Sequence, residues 1–383
     1  MSTGLRFRRL RLRNWKNFPR VDVALQDRLF LVGANASGKS NFLDAFRFLR
    51  DVARSGFRDA VLDRRRGGVR GIRSLAARRH TDVEIAVQIG DGRDGAAWEY
   101  ELAFHQDKQR RPRVRREHVR CGDESLVDRP SSEDAADPER LTQTHLEQVN
   151  VNQPFRDLAA FFGSIRYLHL VPQLVREPDR SAGLTNDPFG GDFLEQIAKT
   201  PERTRTARLA RIQRALRAAV PQLEQIDLWR DARGAPHLRG RYRHWRAYGA
   251  WHGEEHFSDG TLRLTGLLWA ALDKGGPLLL EEPELSLHPE IVRVLPQMLA
   301  RIQRATRRQV FMSTHAPDLL RDEGIGLDEA MLLVPVAEGT QVEPAASSLE
   351  VRKLIEGGLS LAEIAMPRTR PENAARLAPF ADA

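Results

Sequence analysis

The sequence predicts an α/β fold: a mixed central sheet with flanking helices, plus an antiparallel β lobe and a helical insertion. Three observations predict it. The apolar run Leu29-Phe30-Leu31-Val32 leads through a glycine-bearing loop into Asn41 to Leu49, where apolar residues recur at helical spacing. Three stretches with strand character follow, near 82–89, 97–105 and 112–121. The last third returns to strand–helix alternation, with strands at 277–280, 309–312 and 330–334 and helices at about 260–273 and 289–305.

The remaining elements follow in order. Leu5, Phe7, Leu10 and Leu12 alternate with basic residues, which predicts a first strand with one slip in register. A second short strand is expected at 21–25. Residues 58–80 are arginine-rich, and residues 129–140 are a loop by composition. Ile165 to Leu170 is a strand candidate, and 202–219 is a helix with arginines on its outer face. Short strands are expected at 225–230, 236–243 and 245–251. The tail from about 345 carries weak helices and ends in a Pro/Arg/Ala segment expected to be disordered. No internal repeat or long heptad run appears. The expected organisation is 1–125, an N-terminal part with the β lobe; 126–255, a linker and insertion; 256–345, a C-terminal part; and 346–383, a tail.

Composition bounds the function. The chain has 383 residues, 41% hydrophobic and 29% charged, enough for a substantial core with a soluble surface. No apolar run approaches the ~20 residues of a membrane span, so no membrane partner is expected. The basic N-terminus lacks the apolar stretch of a secretory signal. One cysteine, Cys121, excludes an intrachain disulfide. The cytoplasm is the expected compartment. A net charge of +8 makes nucleic acid a candidate partner. The excess of arginine over lysine also fits a coding bias with no function attached, and both readings stand.

Four segments carry chemistry. Gly33-Ala34-Asn35-Ala36-Ser37-Gly38-Lys39-Ser40 matches G-x-x-x-x-G-K-[ST] between a strand and a helix. Its backbone N–H groups can wrap phosphates at a helix N-terminus. Lys39 should reach the β- and γ-phosphates, and Ser40 should hold Mg²⁺. Leu278-Leu279-Leu280 ends in Glu281 and Glu282. The first is placed to support the metal and the second to take a proton from water. Ser258, Asp259 and Gly260 open a helix, where an ordinary N-cap is the simpler reading. Met312-Ser313-Thr314 ends a strand just before His315, a position from which a histidine could bond a phosphate.

Order and spacing carry a resemblance. NASGKSN (35–41), RGG (66–68), FSDGTLRL (257–264), EEPELSLHP (281–289) and STHAPDLL (313–320) succeed one another as in ABC-type ATPases. The chain resembles, more narrowly, the RecF-like and OLD-like AAA family ATPases, over about 1–125 and 160–335. The resemblance implies an ABC-type P-loop ATPase head. It implies ATP and Mg²⁺ as ligands, held by Gly33, Asn35, Ser37, Gly38, Lys39, Ser40 and Asn41. Glu281 would support the metal, Glu282 would be the general base, and His315 the switch histidine. Ser258 and Gly260 would contact the γ-phosphate bound by another subunit. Gln173 would be the Mg²⁺-sensing glutamine. A head-to-tail homodimer with two ATP molecules at its interface, or a higher oligomer, follows from that arrangement.

Departures narrow the role. The signature FSDGT and Glu281 in place of aspartate point away from transporters. No Asp-x-Asp of a TOPRIM domain follows, and no lysine has an acidic residue two positions before it, so no nuclease is expected in the chain. Arg246 and His252 match an RNase-like spacing that chance explains. The expected function is an ATP-gated sensor or scaffold in bacterial antiphage defence, acting with a separately encoded effector. The alternative is a DNA repair ATPase that clamps DNA, resting on the charge and on 58–80.

Overall fold

The computed structural model describes residues 4–78, 80–91, 98–177, 187–243 and 250–370. The chain runs β1 (Arg6–Trp15), β2 (Phe18–Ala24), β3 (Arg28–Val32), α1 (Lys39–Ser55), α2 (Phe57–Leu62), α3 (Gly68–Ile72), β4 (Val83–Gly90), β5 (Trp98–Gln106), β6 (Pro112–Cys121) and β7 (Glu124–Arg129). It continues α4 (Ser132–Ala136), α5 (Arg156–Gly163), β8 (Arg166–Leu168), α6 (Pro172–Arg176), α7 (Phe193–Lys199), α8 (Glu202–Ala219), β9 (Leu223–Arg230), β10 (Pro236–Tyr242) and β11 (Ala250–Gly253). It ends α9 (Asp259–Leu272), β12 (Leu278–Glu281), α10 (Pro289–Thr306), β13 (Val310–Thr314), α11 (Pro317–Leu320), β14 (Ala330–Val336), β15 (Gly339–Pro344), α12 (Leu349–Glu356) and α13 (Leu361–Thr369). Two compact units emerge, Met1–Arg166 with Gly275–Leu279 and Arg308–Ala383, and Tyr167–Lys274 with Leu280–Arg307.

The first unit has two sheets with α1 between them. One is the antiparallel sheet β2-β1-β4-β5-β6-β7. The other holds β15-β14-β3-β13, continued by the first residues of β12 and β8. In it β3 pairs in parallel with β13 and β14, while β14 and β15 are antiparallel, so the sheet is mixed. Leu278 N–H donates to Gln309 O at 2.8 Å, and Arg166 N–H to Pro277 O at 2.9 Å, which brings in the two added strands. Helix α1 is buried almost all round, although it carries Lys39, Asp44, Arg47, Arg50 and Asp51. Phe46 meets Phe311 of β13 at 5.0 Å and Phe7 of β1 at 4.7 Å. Phe48 meets Trp15 of β1 at 5.3 Å and Phe104 of β5 at 5.5 Å.

The slip expected in the first strand is a bulge between Phe7 and Arg9, where β1 pairs with β4. The three-strand lobe is larger than its sequence signal. β1 and β2 join it, and β7 extends it, because these strands pair across sequence gaps that periodicity does not see. Residues 129–140 are not a plain loop. Ser131 and Asp134 form a capping box that starts α4, and Arg129, 2% exposed, binds the Asp134 carboxylate at 2.7 and 3.1 Å. Of the 165–170 strand only Arg166–Leu168 pairs as β8. In the tail α12 and α13 form, while the disorder expected at its end concerns 371–383, outside the described residues.

The second unit is helical with a small antiparallel sheet of order β11-β10-β9. Leu209, Ile212 and Leu216 make the buried stripe of α8, with Arg203, Arg211, Arg214 and Arg217 exposed opposite, as expected. Arg208 on α8 pairs with Asp273 at 2.9 Å and lies over the Trp269 ring of α9 at 5.3 Å. Residues 245–249 of the last short-strand candidate, with Arg246, lie outside the described residues, and β11 begins at Ala250. No helix among the described residues is long and apolar enough to cross a membrane.

The arginine-rich segment 58–80 does not present all its charge to solvent. Arg66, 3% exposed, bonds Asp44 of α1 at 2.9 and 3.1 Å, Asp51 at 2.8 Å and Ala60 O at 2.9 Å. Lys16 meets the same Asp44 at 2.7 Å. Burial raises the Asp44 pKa, but Arg66 and Lys16 outweigh it and hold the carboxyl below the usual carboxylate range. A depressed folded pKa gives stability that is present above the unfolded value, about 4, and is lost as pH falls through the folded value. Arg66→Ala removes the hydrogen-bonded partner of a buried carboxylate and leaves Lys16 at 2.7 Å and Arg47 at 3.7 Å, and we expect a loss of about 3 kcal/mol at neutral pH. Urea unfolding measures it. A change within about 0.5 kcal/mol would show that Lys16 and Arg47 balance Asp44 without Arg66.

Candidate functional site

In the first unit, the buried strand β3 ends at Val32 and the loop Gly33–Ser40 turns into α1. Ala36 has φ +63° and Gly38 φ +99°, so left-handed residues flank Ser37. Such alternation turns successive backbone N–H groups toward one side and makes an anion-binding concavity. Helix α1 starts with no side-chain cap and no acidic residue in its first turn. The N-terminus of a helix carries the positive end of its dipole, and no acidic side chain of the first turn offsets it here. Lys39, 5% exposed, folds into the loop and donates to Gly33 O at 2.9 Å and Ala34 O at 3.1 Å. Ser37 is fully buried, and its Oγ has no hydrogen-bond partner among the described residues. Asn35 and Ser40 are exposed.

One residue that sequence reasoning missed holds this loop. Asn17, in the β1–β2 turn, donates through Nδ2 to Ser37 O at 3.0 Å and to Thr340 Oγ1 at 2.8 Å. Its Oδ1 accepts from Asn41 Nδ2 at 2.7 Å, and its backbone O accepts from Thr340 N–H at 2.8 Å. The loop, α1 and β15 are clipped together by one side-chain amide. A Cβ on Gly38 would lie 2.2 Å from Asn17 Nδ2, so the position needs glycine for space as well as for φ. Beside Asn17 and Asn41 opens a cavity of about 740 Å³, with Lys16, Arg70, Arg73 and Arg78 along it. Its lining is cationic, and its one carboxylate, on Glu338, pairs with Arg78 at 3.2 Å.

His315 is brought to the loop. Thr314 of β13 pairs with Val32 of β3 in parallel register, so His315 leaves its strand at the level where Gly33 leaves its own. Ser313 and Thr314 are fully buried, and Ala316 N–H donates to Thr314 Oγ1 at 3.0 Å, which fixes the exit from the strand.

In the second unit, the tip of β12 carries Glu281 and Glu282, both half-buried. Glu282 has φ +43°, a left-handed conformation that is uncommon for a side-chain-bearing residue. The Tyr167 hydroxyl donates to Glu281 Oε2. His169 Nδ1 lies 3.3 Å from Glu281 O, and burial pushes the His169 pKa down, favouring the neutral ring. Burial also lowers the Arg263 pKa, while the nearby Asp259 and Glu282 raise it. Tyr167 and His169 carried no sequence signal, since Tyr167 and Glu281 are 114 positions apart, and Arg263 stood in the FSDGTLRL segment with no role of its own.

The Ser258 segment opens α9 in the same unit. Ser258 is an N-cap: its Oγ accepts from Thr261 N–H at 3.2 Å and lies 2.8 Å from Thr261 Oγ1. Arg176 of α6 braces the segment through Phe257 O and Asp259 Oδ1, both at 2.6 Å. A Cβ on Gly260 would lie 2.5 Å from Ser286 O, so the helix start is pressed against the turn that follows Glu282. Gln173 is exposed on α6, three residues before Arg176. The structure thus places Lys39, Ser40, Asn41 and His315 in one unit, and Glu281, Glu282, Ser258, Gly260 and Gln173 in the other.

Residues 29–321 match the family described as "AAA domain, putative AbiEii toxin, Type IV TA system". The chain belongs to this AAA family. Among solved structures it is similar to the Smc head bound to the C-winged helix domain of ScpA, with a TM-score of 0.55 and 14% identity over 88% of this chain and 97% of that one. It is also similar to an Smc head domain with a coiled coil and joint from Pyrococcus yayanosii, with a TM-score of 0.52 and 11% identity over 92% and 99%. At such identities the likeness shows the fold, that of an ABC-type ATPase head. No curated protein matches the chain.

The loop geometry yields a direct test. Gly38→Ala must place a Cβ at φ +99° and against Asn17, at a cost of about 1–3 kcal/mol. Urea midpoints of the variant and of the parent measure it. Equal midpoints would mean that the Asn17 clip yields without cost.

Proposed function

We propose that this AAA-family chain binds ATP with Mg²⁺ in the loop Gly33–Ser40 and hydrolyses it in an ATP-gated homodimer. The loop carries this reading: a turn of alternating backbone hand leads into the N-terminus of a buried helix, with Lys39 folded into it and a cationic cavity beside it. Ser37 Oγ, buried without a hydrogen-bond partner among the described residues, suits a bound phosphate group. The Ser40 hydroxyl and the Glu281 carboxylate are hard oxygen donors of the kind Mg²⁺ takes alongside substrate phosphates, with Gln173 as a further donor. When bound, the ion neutralises charge on the phosphates.

The residues of the chain have separable roles in this proposal. Lys39 and the loop N–H groups orient the phosphates. Glu282 accepts the proton of the attacking water, and its left-handed backbone aims the carboxylate away from the line of β12. Tyr167 and His169 position Glu281 through its carboxylate and its carbonyl. His315, level with Gly33, is the switch that senses the γ-phosphate. Ser258 and Gly260 serve the nucleotide of the partner chain, so each site is completed by dimerisation.

The family description names a putative toxin of a toxin–antitoxin system, which supports a defence role with a separately encoded effector. The DNA-clamp reading rests on the exposed arginines of the 58–80 segment, Arg58, Arg64, Arg65, Arg70 and Arg78, since Arg66 is committed to Asp44 and Asp51.

Glu282→Gln should lower ATP turnover by roughly 10²–10⁴-fold and accumulate an ATP-loaded dimer, read by phosphate release and by light scattering. Wild-type turnover in that variant would remove Glu282 from the role of base. Lys39→Ala should abolish nucleotide binding.

Ser258 offers a sharper test, because its cap and its proposed contact can be separated. Ser258→Asp keeps an N-cap oxygen and should leave the thermal midpoint nearly unchanged. It should also block ATP-driven dimerisation by placing a negative charge at the partner's phosphate. A variant that dimerises normally with ATP would rule out the signature contact.

A further inference from the structure

The outward face of the small sheet in the second unit has a composition that the ATPase reading does not use. On β10, Leu238, Gly240 and Tyr242 alternate with His237, Arg239 and Arg241. Leu238 is fully buried, and a Cβ on Gly240 would collide with Leu223 and Phe257, so that set faces inward. His237, Arg239 and Arg241 therefore face outward. Directly paired residues of an antiparallel sheet share a face. His237 pairs with Trp229 of β9, and Arg241 with Trp251 of β11. Two indoles thus join the three cationic or imidazole side chains on one surface.

Both indoles are exposed for their size, Trp229 by 38% and Trp251 by 42%. Each is supported from one side. The His237 ring stacks on Trp229 at 5.1 Å with 29° between planes. The Arg239 guanidinium lies 4.6 Å from the centroid of Trp251, and that of Arg241 lies 6.0 Å away. Asp227 shares the face and is paired with Arg239 at 3.1 Å, while Glu224 stands 3.7 Å from Arg241.

We infer that this face binds single-stranded nucleic acid, with bases stacked on Trp229 and Trp251 and phosphates met by Arg239 and Arg241. Stacking needs flat rings that are held in place and partly exposed, and Trp229 beside His237 and Trp251 beside Arg239 are both. A protein partner is less well served. The residues facing outward on β10 include no aliphatic side chain, whereas a docked helix needs aliphatic contacts for its apolar stripe. The two guanidiniums are each paired with one carboxylate, Asp227 or Glu224, and a phosphate can compete for them in a chain of net charge +8. Four residues along β10 and two strand spacings separate the indoles, a diagonal of roughly 17 Å. That span accommodates several nucleotides with the guanidiniums between the two stacking points. The inference does not depend on nucleotide hydrolysis.

The test is fluorescence anisotropy of labelled dT15 and rU15 with the full chain at low salt, without ATP. Binding of either oligonucleotide is expected, and the two together show whether DNA or RNA is preferred. The double variant Trp229→Ala/Trp251→Ala should weaken it tenfold or more, while Trp229→Tyr/Trp251→Tyr, which keeps flat rings, should stay within a few-fold of wild type. Arg239→Gln/Arg241→Gln should reduce the slope of log affinity against log salt by about 1 to 2. The inference fails if the wild type binds neither oligonucleotide, if the alanine pair binds as wild type, or if unlabelled duplex competes as well as the single strand. Equal losses in the alanine and tyrosine pairs would also overturn it, by showing a structural effect instead of stacking.

Discussion

Helix α1 has almost no solvent face, and that burial is the constraint on which the first unit depends. Phe46 is wedged between Phe7 and Phe311, and Phe48 between Trp15 and Phe104, so both sheets pack through the same helix. A helix held on all sides cannot slide along its axis without opening a void, because interiors pack as densely as organic crystals. Its first residue is Lys39. The rigidity of the aromatic core is therefore passed directly to the loop that precedes it, and the loop is aimed by packing several turns away.

A buried helix that carries charge needs internal partners, and the chain provides them. Asp44 faces Arg66 and Lys16 with almost no exposure. A second cluster repeats the principle at the edge of the antiparallel lobe, where Arg129 binds Glu117 and Asp134 with all three side chains at 1% exposure or less. Its two acids respond differently. The Arg129 and Ser131 bonds hold Asp134 below the usual carboxylate range, whereas burial pushes Glu117 up despite Arg129 and two backbone donors. A large share of the arginine count is thus structural, and overall charge says less about a polyanion partner than the side chains on one face do. The Trp229–Arg241 surface is the case in point, since its cations are arranged around exposed rings.

Much of the candidate chemistry was legible in the sequence because it is local. A loop of eight residues between an apolar strand and a helix encodes its own turn, and the left-handed backbone at Gly38 agrees with the glycine found there. Paired carboxylates after an apolar strand encode their own position at its tip. The Ser258 segment was also legible, as the N-cap that simple capping chemistry predicts. Asn17, Tyr167, His169 and Arg263 were not legible. Each interacts with a residue 19 or more positions away, through a hydrogen bond or charge that no periodicity or motif records. The capping box at Ser131 was encoded locally, yet it was masked by a composition typical of loops.

By itself the sequence determined the class of fold, the strand–helix alternation of its first and last thirds, and the loop and acidic tip that carry the proposed chemistry. These follow from short-range physics: hydrophobic period, the conformational freedom of glycine, and capping. Only the tertiary structure decided that β1, β2 and β7 share a sheet with the inserted lobe. It alone showed that Arg66 is an internal counter-ion, that His315 stands level with Gly33, and that two tryptophans share a face with two arginines. Those outcomes depend on strand register and on contacts between distant residues. The free energy of such contacts comes from shared burial, which no single segment of the chain possesses before the others have folded around it.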